Sequence, residues 1–402
     1  MTNALTRMGL RRMVGRDGRE RHRAASPLEL LFDLVFVVAV SQASVNLHHL
    51  VSEGEVGWGV VTYLMVFFAV WWAWMNFTWF ASAFDTDDWL YRVMTIVQMG
   101  GVLVLAAGVH DAMVDGDFLI VTWGYVIMRL AMVGQWARVA ASDPAIRRTA
   151  IRYAIGIVVV QALWVARISA LDATWQFWTF FVLAAVESLV PVWAERFTPT
   201  AWHPHHIAER YGLFTLILLG ESILASANAV IDALQEGEHT GELIGLAVAG
   251  LVVVAAMWWA YFAFDHDRRL ASAIERSSYT TAFVYGYGQY VVFAAAGAVS
   301  AGVEVVLDEI AGHTEIAPVV AYLAFSLPVA AFLASVWLLL LRGRLSAGTS
   351  AGYLVATALI ALAGVVVSAT LVIVVVLTVA VVVLLELDAG RRRARRSDDA
   401  TA

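Results

Sequence analysis

The sequence contains no cysteine and no lysine; all 26 of its Lys+Arg positions are arginine. The absence of cysteine excludes disulfides, thiolate metal sites and thiol nucleophiles. The absence of lysine excludes a Schiff base, hence retinal and pyridoxal chemistry, and a P-loop lysine. HExxH and GxGxxG are missing too. Charge is scarce: 15% of the 402 residues are charged, against about 25% in soluble domains. The formal net charge is -7, and no basic, aromatic-studded face suggests a nucleic-acid partner. No motif implies a cofactor.

What replaces charge is apolar surface. The apolar fraction is 61%, against about 45–50% in soluble domains, and the mean hydropathy is +0.75. A membrane-spanning helix needs about 20 apolar residues, so the chain has room for roughly a dozen. Twelve apolar segments are predicted, at 27–50, 57–83, 91–110, 118–139, 150–169, 173–194, 208–230, 243–264, 279–301, 317–341, 350–367 and 368–387. The last two form one run too long for a single crossing, which a tight turn near Val367–Thr370 divides. Residues 1–25 carry seven arginines and precede a helix that contains Glu29 and Asp33. A cleaved signal peptide has a charge-free apolar run there, so this helix is read as retained. The expected organisation is a basic tail at 1–25, six helices in 26–196, six more in 197–388 with a His-containing lead-in, and a basic then acidic tail at 389–402.

Arginine placement tests the count, because cytoplasmic loops collect Lys and Arg. With both termini cytoplasmic, the inner side holds the tail arginines, Arg92, Arg138, Arg147, Arg148, Arg152, Arg196, Arg210, Arg268, Arg269, Arg276, Arg342, Arg344 and the arginines of 391–396. Only Arg129 and Arg167 fall elsewhere. The opposite loops are acidic, as in Glu53 and Glu55, or Asp232, Glu236, Glu238 and Glu242.

A shift of 180 residues aligns Glu29 with Glu209, Trp79 with Trp259, and Ala83-Phe84-Asp85-Thr86-Asp87 with Ala263-Phe264-Asp265-His266-Asp267. This points to an all-α, polytopic protein of about twelve helices in two six-helix repeats. An even number of helices per repeat makes the two repeats parallel.

Ionisable groups inside a bilayer are costly and mark function or tight pairing. Arg129, Glu187 and Glu221 lie deep in their segments, and Asp33 is shallower. Arg129 requires an anion, and Glu187, Glu221 or Asp33 can supply it. One reading is a packing ion pair; the other is a carboxylate in a water-filled path that binds a proton or cation. Gly220-Glu221-Ser222 suits either a close helix crossing or a polar site at the bundle centre. Ahead of that helix, Trp202-His203-Pro204-His205-His206-Ile207-Ala208-Glu209 places His205 and His206 at helical spacing from Glu209. Metal ligation by His205, His206 and Glu209, proton sensing, and capping or salt bridging with Arg210 all fit this spacing. The Ala-Phe-Asp-x-Asp ends are read as local pairs with nearby arginines. The Trp-rich end of the second segment (Trp71, Trp72, Trp74, Trp79) is read as an interfacial and packing feature.

Glu29-Leu30-Leu31-Phe32-Asp33-Leu34-Val35-Phe36 resembles the opening motif of the bacterial low temperature requirement A family. His206-x-x-Glu209-Arg210-x-Gly212-Leu213, running on to Leu219-Gly220-Glu221-Ser222, resembles its second signature, and the Ala-Phe-Asp-x-Asp helix end is a third match. The resemblance covers residues 25–390. It implies a polytopic bacterial inner-membrane protein connected with growth in the cold, and it implies no settled activity. Glu29, Phe32, Asp33, His206, Glu209, Arg210, Gly220, Glu221 and Ser222 are carried over as motif positions without roles. A fainter resemblance, to potassium channels of two six-helix repeats, lacks their Phe-Ser-Asp serine here.

The leading functional expectation is a small-solute or ion permease whose polar site draws on Asp33, Arg129, Glu187, Glu221 and Ser222. The alternatives are a membrane-embedded enzyme acting on lipid through His206 and Glu209, and a membrane scaffold or sensor. The lipid bilayer and an unknown small solute or ion are the partners expected, and the oligomeric state is left open. A cysteine placed at Glu238 should react with impermeant reagents supplied from outside the cell. Blocking only by reagents that enter from the cytoplasm would overturn the twelve-segment topology.

Overall fold

The computed structural model describes residues 9–15, 24–236, 239–264 and 279–401. Among these the chain is helical throughout: α1 (Pro27–Ser52), α2 (Val56–Phe84), α3 (Trp89–Ala107), α4 (Val109–Val114), α5 (Leu119–Ser142), α6 (Arg147–Ala170), α7 (Ala173–Glu195), α8 (Pro204–Glu236), α9 (Thr240–Phe262), α10 (Tyr279–Ala311), α11 (Pro318–Val336), α12 (Ala347–Ala363) and α13 (Thr370–Thr401). Eleven helices among the described residues are long and apolar enough to cross a membrane; α12, at 17 residues, is shorter. Two compact units form. One is Met1–Asn46 with Val60–Arg210, the other Leu47–Gly59 with Tyr211–Ala402, and the boundaries fall inside α1, α2 and α8.

The helix starts follow local chemistry. Ser26 precedes Pro27 at the first helical position, where a missing N–H costs nothing. The Ser26 N–H donates to Glu29 Oε2 at 2.7 Å and the Glu29 N–H to Ser26 Oγ at 3.4 Å, a reciprocal capping box. Asp88 caps α3 by accepting from the Tyr91 N–H at 2.8 Å, and Asp172 caps α7 from Trp175. Burial pushes the Asp88 carboxyl up, but hydrogen bonds from Tyr91, Arg11 and Arg138 outweigh it and hold the group below its ordinary value. Neighbouring Asp87 is also lowered, by a two-point grip on Arg92 at 2.8 and 3.0 Å. The N-terminal stretch docks here. Arg11 N–H reaches Asp88, Arg12 Nη2 reaches the Ser142 carbonyl at 2.8 Å, and Met13 is buried.

The faces of α1 are sorted opposite to those of a water-soluble helix. Glu29, Phe32, Asp33, Phe36, Ala39, Val40 and Ala43 are buried, whereas Leu30, Leu31, Leu34 and Val38 are exposed. The 3.6-residue period thus turns carboxylates inward and leucines outward, as a hydrocarbon solvent demands. The tryptophans of α2 serve packing. Trp71, Trp72 and Trp74 are buried in the core, and Trp72 stacks on Phe68.

In the first unit, α3, α5, α6 and α7 pack in chain order. Glycine allows α3 and α5 to meet backbone to backbone. A Cβ at Gly124 would fall 2.3 Å from Leu105 N and 2.7 Å from Gly101 O. In the second unit, α10 packs on α11, and α9, α11 and α12 support α13 or one another. Pro328 inside α11 has no N–H to offer the Ala324 carbonyl four residues earlier. That carbonyl faces Gly302 of α10, where a Cβ would come within 2.4 Å of it. The long apolar run does turn where expected. A 3-10 turn occupies Val367–Ala369, and the Thr370 hydroxyl donates to the Ala363 carbonyl at 3.0 Å.

Gly124→Ala and Gly302→Ala should each lower stability by about 1–3 kcal/mol, the usual penalty of overpacking. Gly100→Ala and Gly245→Ala, where a Cβ meets nothing within 4 Å, should instead stabilise by about 0.5–1 kcal/mol as helical glycines replaced by alanine. Thermal melting in detergent reads both signs.

Candidate functional site

A guanidinium and two carboxylates meet inside the first unit. Arg210, in the second turn of α8, is wholly buried, as are Glu29 and Asp33 of α1. Its Nε donates to Asp33 Oδ2 at 2.9 Å, its Nη2 to Asp33 Oδ1, and its Nη1 lies 3.3 Å from Glu29 Oε1. Trp74 Nε1 of α2 donates to Asp33 Oδ1 at 2.6 Å. His206, one turn before Arg210 and equally buried, places Nε2 3.0 Å from Glu29 Oε1. The guanidinium carbon also sits 5.9 Å from the Trp74 and Phe77 ring centres, a cation–π environment. Phe32 backs the cluster, its ring 3.9 Å from Phe77.

The lead-in to α8 is fixed so that its first two turns arrive in register. Glu195 accepts from the Thr200 N–H at 2.7 Å, the Thr198 carbonyl accepts from Thr149, and Trp202 meets Trp79 edge to face. His203 is held to Ser82 of α2, and its Nδ1 accepts the His206 N–H at 3.3 Å, a histidine in the capping position. Pro204 then opens the helix. Arg210, counted with the cytoplasmic arginines although it stands at the start of the 208–230 segment, is a buried helical residue.

A second ionic group lies among α5, α6 and α7. Arg129 Nε is 3.2 Å from Glu187 Oε1, and both are buried. Tyr125 donates to Glu187 Oε1 at 2.7 Å, Gln161 Nε2 to the same oxygen at 3.3 Å, and Trp164 Nε1 to Oε2 at 2.8 Å. Of the three anions considered for Arg129, Glu187 is its partner and Asp33 is taken by Arg210. The expected polar site is thus two separate clusters, not one joint Asp33–Arg129–Glu187 constellation. Glu221 is half-buried in the second unit, beside a fully buried Ser222. Gly220 has open space around it, so the close crossing expected there is absent among the described residues.

His205, His206 and Glu209 do not converge on one another. His206 turns to Glu29, Glu209 is half-buried, and no group of three metal-ligating side chains exists among the described residues. Of the Ala-Phe-Asp-x-Asp pair, the first grips Arg92 through Asp87, whereas Asp265 and Asp267 lie outside the described residues. Sequence reasoning missed His203, Trp74, Tyr125, Gln161 and Trp164. Trp74, Tyr125, Gln161 and Trp164 are long-range partners of residues that were singled out, whereas His203 lies three residues from His206, and only the buried charges announced that such partners were needed.

Apolar helices with charges turned inward define a multi-pass membrane protein. The chain belongs to the family described as the bacterial low temperature requirement A protein, whose pattern it matches over residues 24–385. It is similar to an uncharacterized protein of Rhizobium meliloti (strain 1021), 27% identical over 297 residues covering 68% of this chain and 67% of that one. No solved structure matches it.

Arg129→Ala leaves Glu187 buried without its cation and should destabilise by about 3–5 kcal/mol. Adding Glu187→Gln should recover part of that loss, and adding Glu221→Gln or Asp33→Asn should recover none. Melting of the single and double variants gives the coupling directly.

Proposed function

We propose that this protein is a proton-linked permease for a small solute or ion, built as two parallel six-helix repeats with both termini in the cytoplasm. The arginine-rich and acid-rich sides of the sequence support the orientation, and the matched Ala-Phe-Asp-x-Asp ends support the duplication. The observation that carries the function is the Glu29–Asp33–His206–Arg210 cluster. Two carboxylates face one guanidinium. The group holds one net negative charge with a neutral imidazole and none with an imidazolium. Imidazole is the side chain whose ordinary titration lies nearest neutrality. Protonation of His206 therefore switches the charge balance of a site with no water contact, and Glu29–His206 and Asp33–Arg210 both tie α1 to α8. A proton thus biases how firmly these helices are joined, which is what coupling to solute movement requires. Glu221 and Ser222, further along α8, are assigned to the solute or ion path.

A lipid-modifying enzyme would need His206 and Glu209 presented to headgroups. The burial of His206 against Glu29 supports the permease over that alternative.

The test is reconstitution into liposomes with an imposed proton gradient, scanning labelled sodium, potassium, amino acids and sugars. At least one should accumulate above protein-free vesicles. His206→Gln should abolish gradient-driven accumulation while melting stays near that of the parent, and Glu221→Gln should behave likewise. If no probe enters faster than in protein-free vesicles, or if His206→Gln accumulates solute normally, the proposal fails. Turnover of the vesicle lipid in its place would favour the enzyme.

A further inference from the structure

Four helices of the second unit leave a cavity of about 610 Å³ between them at their acid-rich ends. That volume lies within the roughly 300–1,000 Å³ of ordinary ligand pockets. The polar lining is Glu242 from the first turn of α9, Glu309 from the last turn of α10, Tyr322 from α11, and Ser368 from the turn before α13. The remaining wall is apolar, with Val248 of α9 and Leu371 of α13 among its members. Gly245 of α9 keeps the space open, since a Cβ there would meet nothing within 4 Å.

The polar groups are acceptors with capacity to spare. Glu242 is mostly exposed, and His239 meets only its Oε2, at 3.4 Å. Glu309 is half-buried and receives the Tyr322 hydroxyl. A carboxylate has about four lone-pair sites, so one donor leaves the others free. Tyr322 feels the charge of Glu242 as well as that of Glu309, which puts both carboxylates at one end of the cavity. Among the described residues none of the lining side chains is cationic. Two negative charges therefore face the space with no cation in the lining to offset them. On the α13 edge, Val372 and Val376 are exposed, so the cavity opens onto surface that hydrocarbon covers in a membrane. Its complement is a cation that carries an apolar body.

We propose that this cavity binds a protonated lipophilic amine. The ammonium is held by Glu242 and Glu309, and the apolar body lies along α9 and α13. Hydrogen bonds from a charged N–H to a carboxylate are the strong kind, and the Ser368 hydroxyl adds a further acceptor. A phospholipid with an ammonium head fits less well. Its phosphate would lie beside the same two carboxylates with no cation to receive it. The site belongs to the other unit from the His206 cluster, and it stands whether or not the protein is a proton-linked permease.

The test is equilibrium dialysis of radiolabelled imipramine, a tricyclic tertiary amine, against the full-length protein in dodecyl maltoside, with protein-free micelles subtracted. The expected result near neutral pH is saturable binding to a single class of sites. Unlabelled imipramine should displace the label. Iminodibenzyl, its uncharged ring system, and lysophosphatidylethanolamine should each be at least about tenfold less effective. Glu309→Gln and Glu242→Gln should each raise Kd at least about tenfold, equal to about 1.4 kcal/mol. Glu315→Gln, at an exposed carboxylate outside the cavity, should leave it unchanged. Gly245→Leu should abolish binding by filling the cavity while melting stays near that of the parent, and it carries the test if neither glutamine variant folds. Binding no greater than in empty micelles would overturn the proposal. So would equal displacement by iminodibenzyl or by lysophosphatidylethanolamine, or a Kd unmoved by Glu309→Gln, Glu242→Gln and Gly245→Leu.

Discussion

A guanidinium taken out of water needs an anion or an equivalent set of polar partners, and in a protein without lysine every such demand falls on arginine. The Arg210–Asp33 pair meets it inside the first unit. Asp33 receives two donors from Arg210 and one from Trp74, so its carboxylate joins α1 to α8 and α2 at once. Glu29 meets the Ser26 N–H, Arg210 and His206 and joins α1 to α8. The positions of α1, α2 and the start of α8 follow from these contacts. Breaking such a group strands a charge in a medium that cannot solvate it, so the helices are held by a constraint far more directional than apolar packing.

The same economy explains the lead-in to α8. Backbone groups there have no strand or helix to satisfy them, and buried polar groups are paired almost without exception. Thr198, Thr200, Trp202 and His203 attach to Thr149, Glu195, Trp79 and Ser82 in turn. The histidine-rich stretch resembles a ligand set by spacing alone. In the fold its members have different tasks: His203 caps the helix and His206 meets Glu29.

Where charge is absent, small residues take over. In hydrocarbon the helices gain little from hiding apolar surface, and close van der Waals contact matters more. Gly124 against Leu105, and Gly302 against the carbonyl released by Pro328, are two of the places among the described residues where backbones touch. They serve the two units separately, in α3–α5 and α10–α11.

Much was legible in the sequence because the bilayer imposes rules that act on composition. Long apolar runs and the burial of Arg129 and Glu187 follow from the cost of exposing polar groups to lipid, which each segment feels individually. The turn at Val367–Thr370 was legible for the same reason, since the run exceeded one crossing. The partners were not. That Arg129 selects Glu187, that Arg210 is a buried helical residue tied to Asp33 and Glu29, and that Trp74 is a donor to Asp33 depend on which helix faces which. Those pairings join residues as far apart as Asp33 and Arg210, and a linear pattern carries no information about which of several equally deep carboxylates will come within three ångströms. The sequence alone determined that charges would be buried and would need partners; only the tertiary structure, by bringing helix faces together, decided which partners they have.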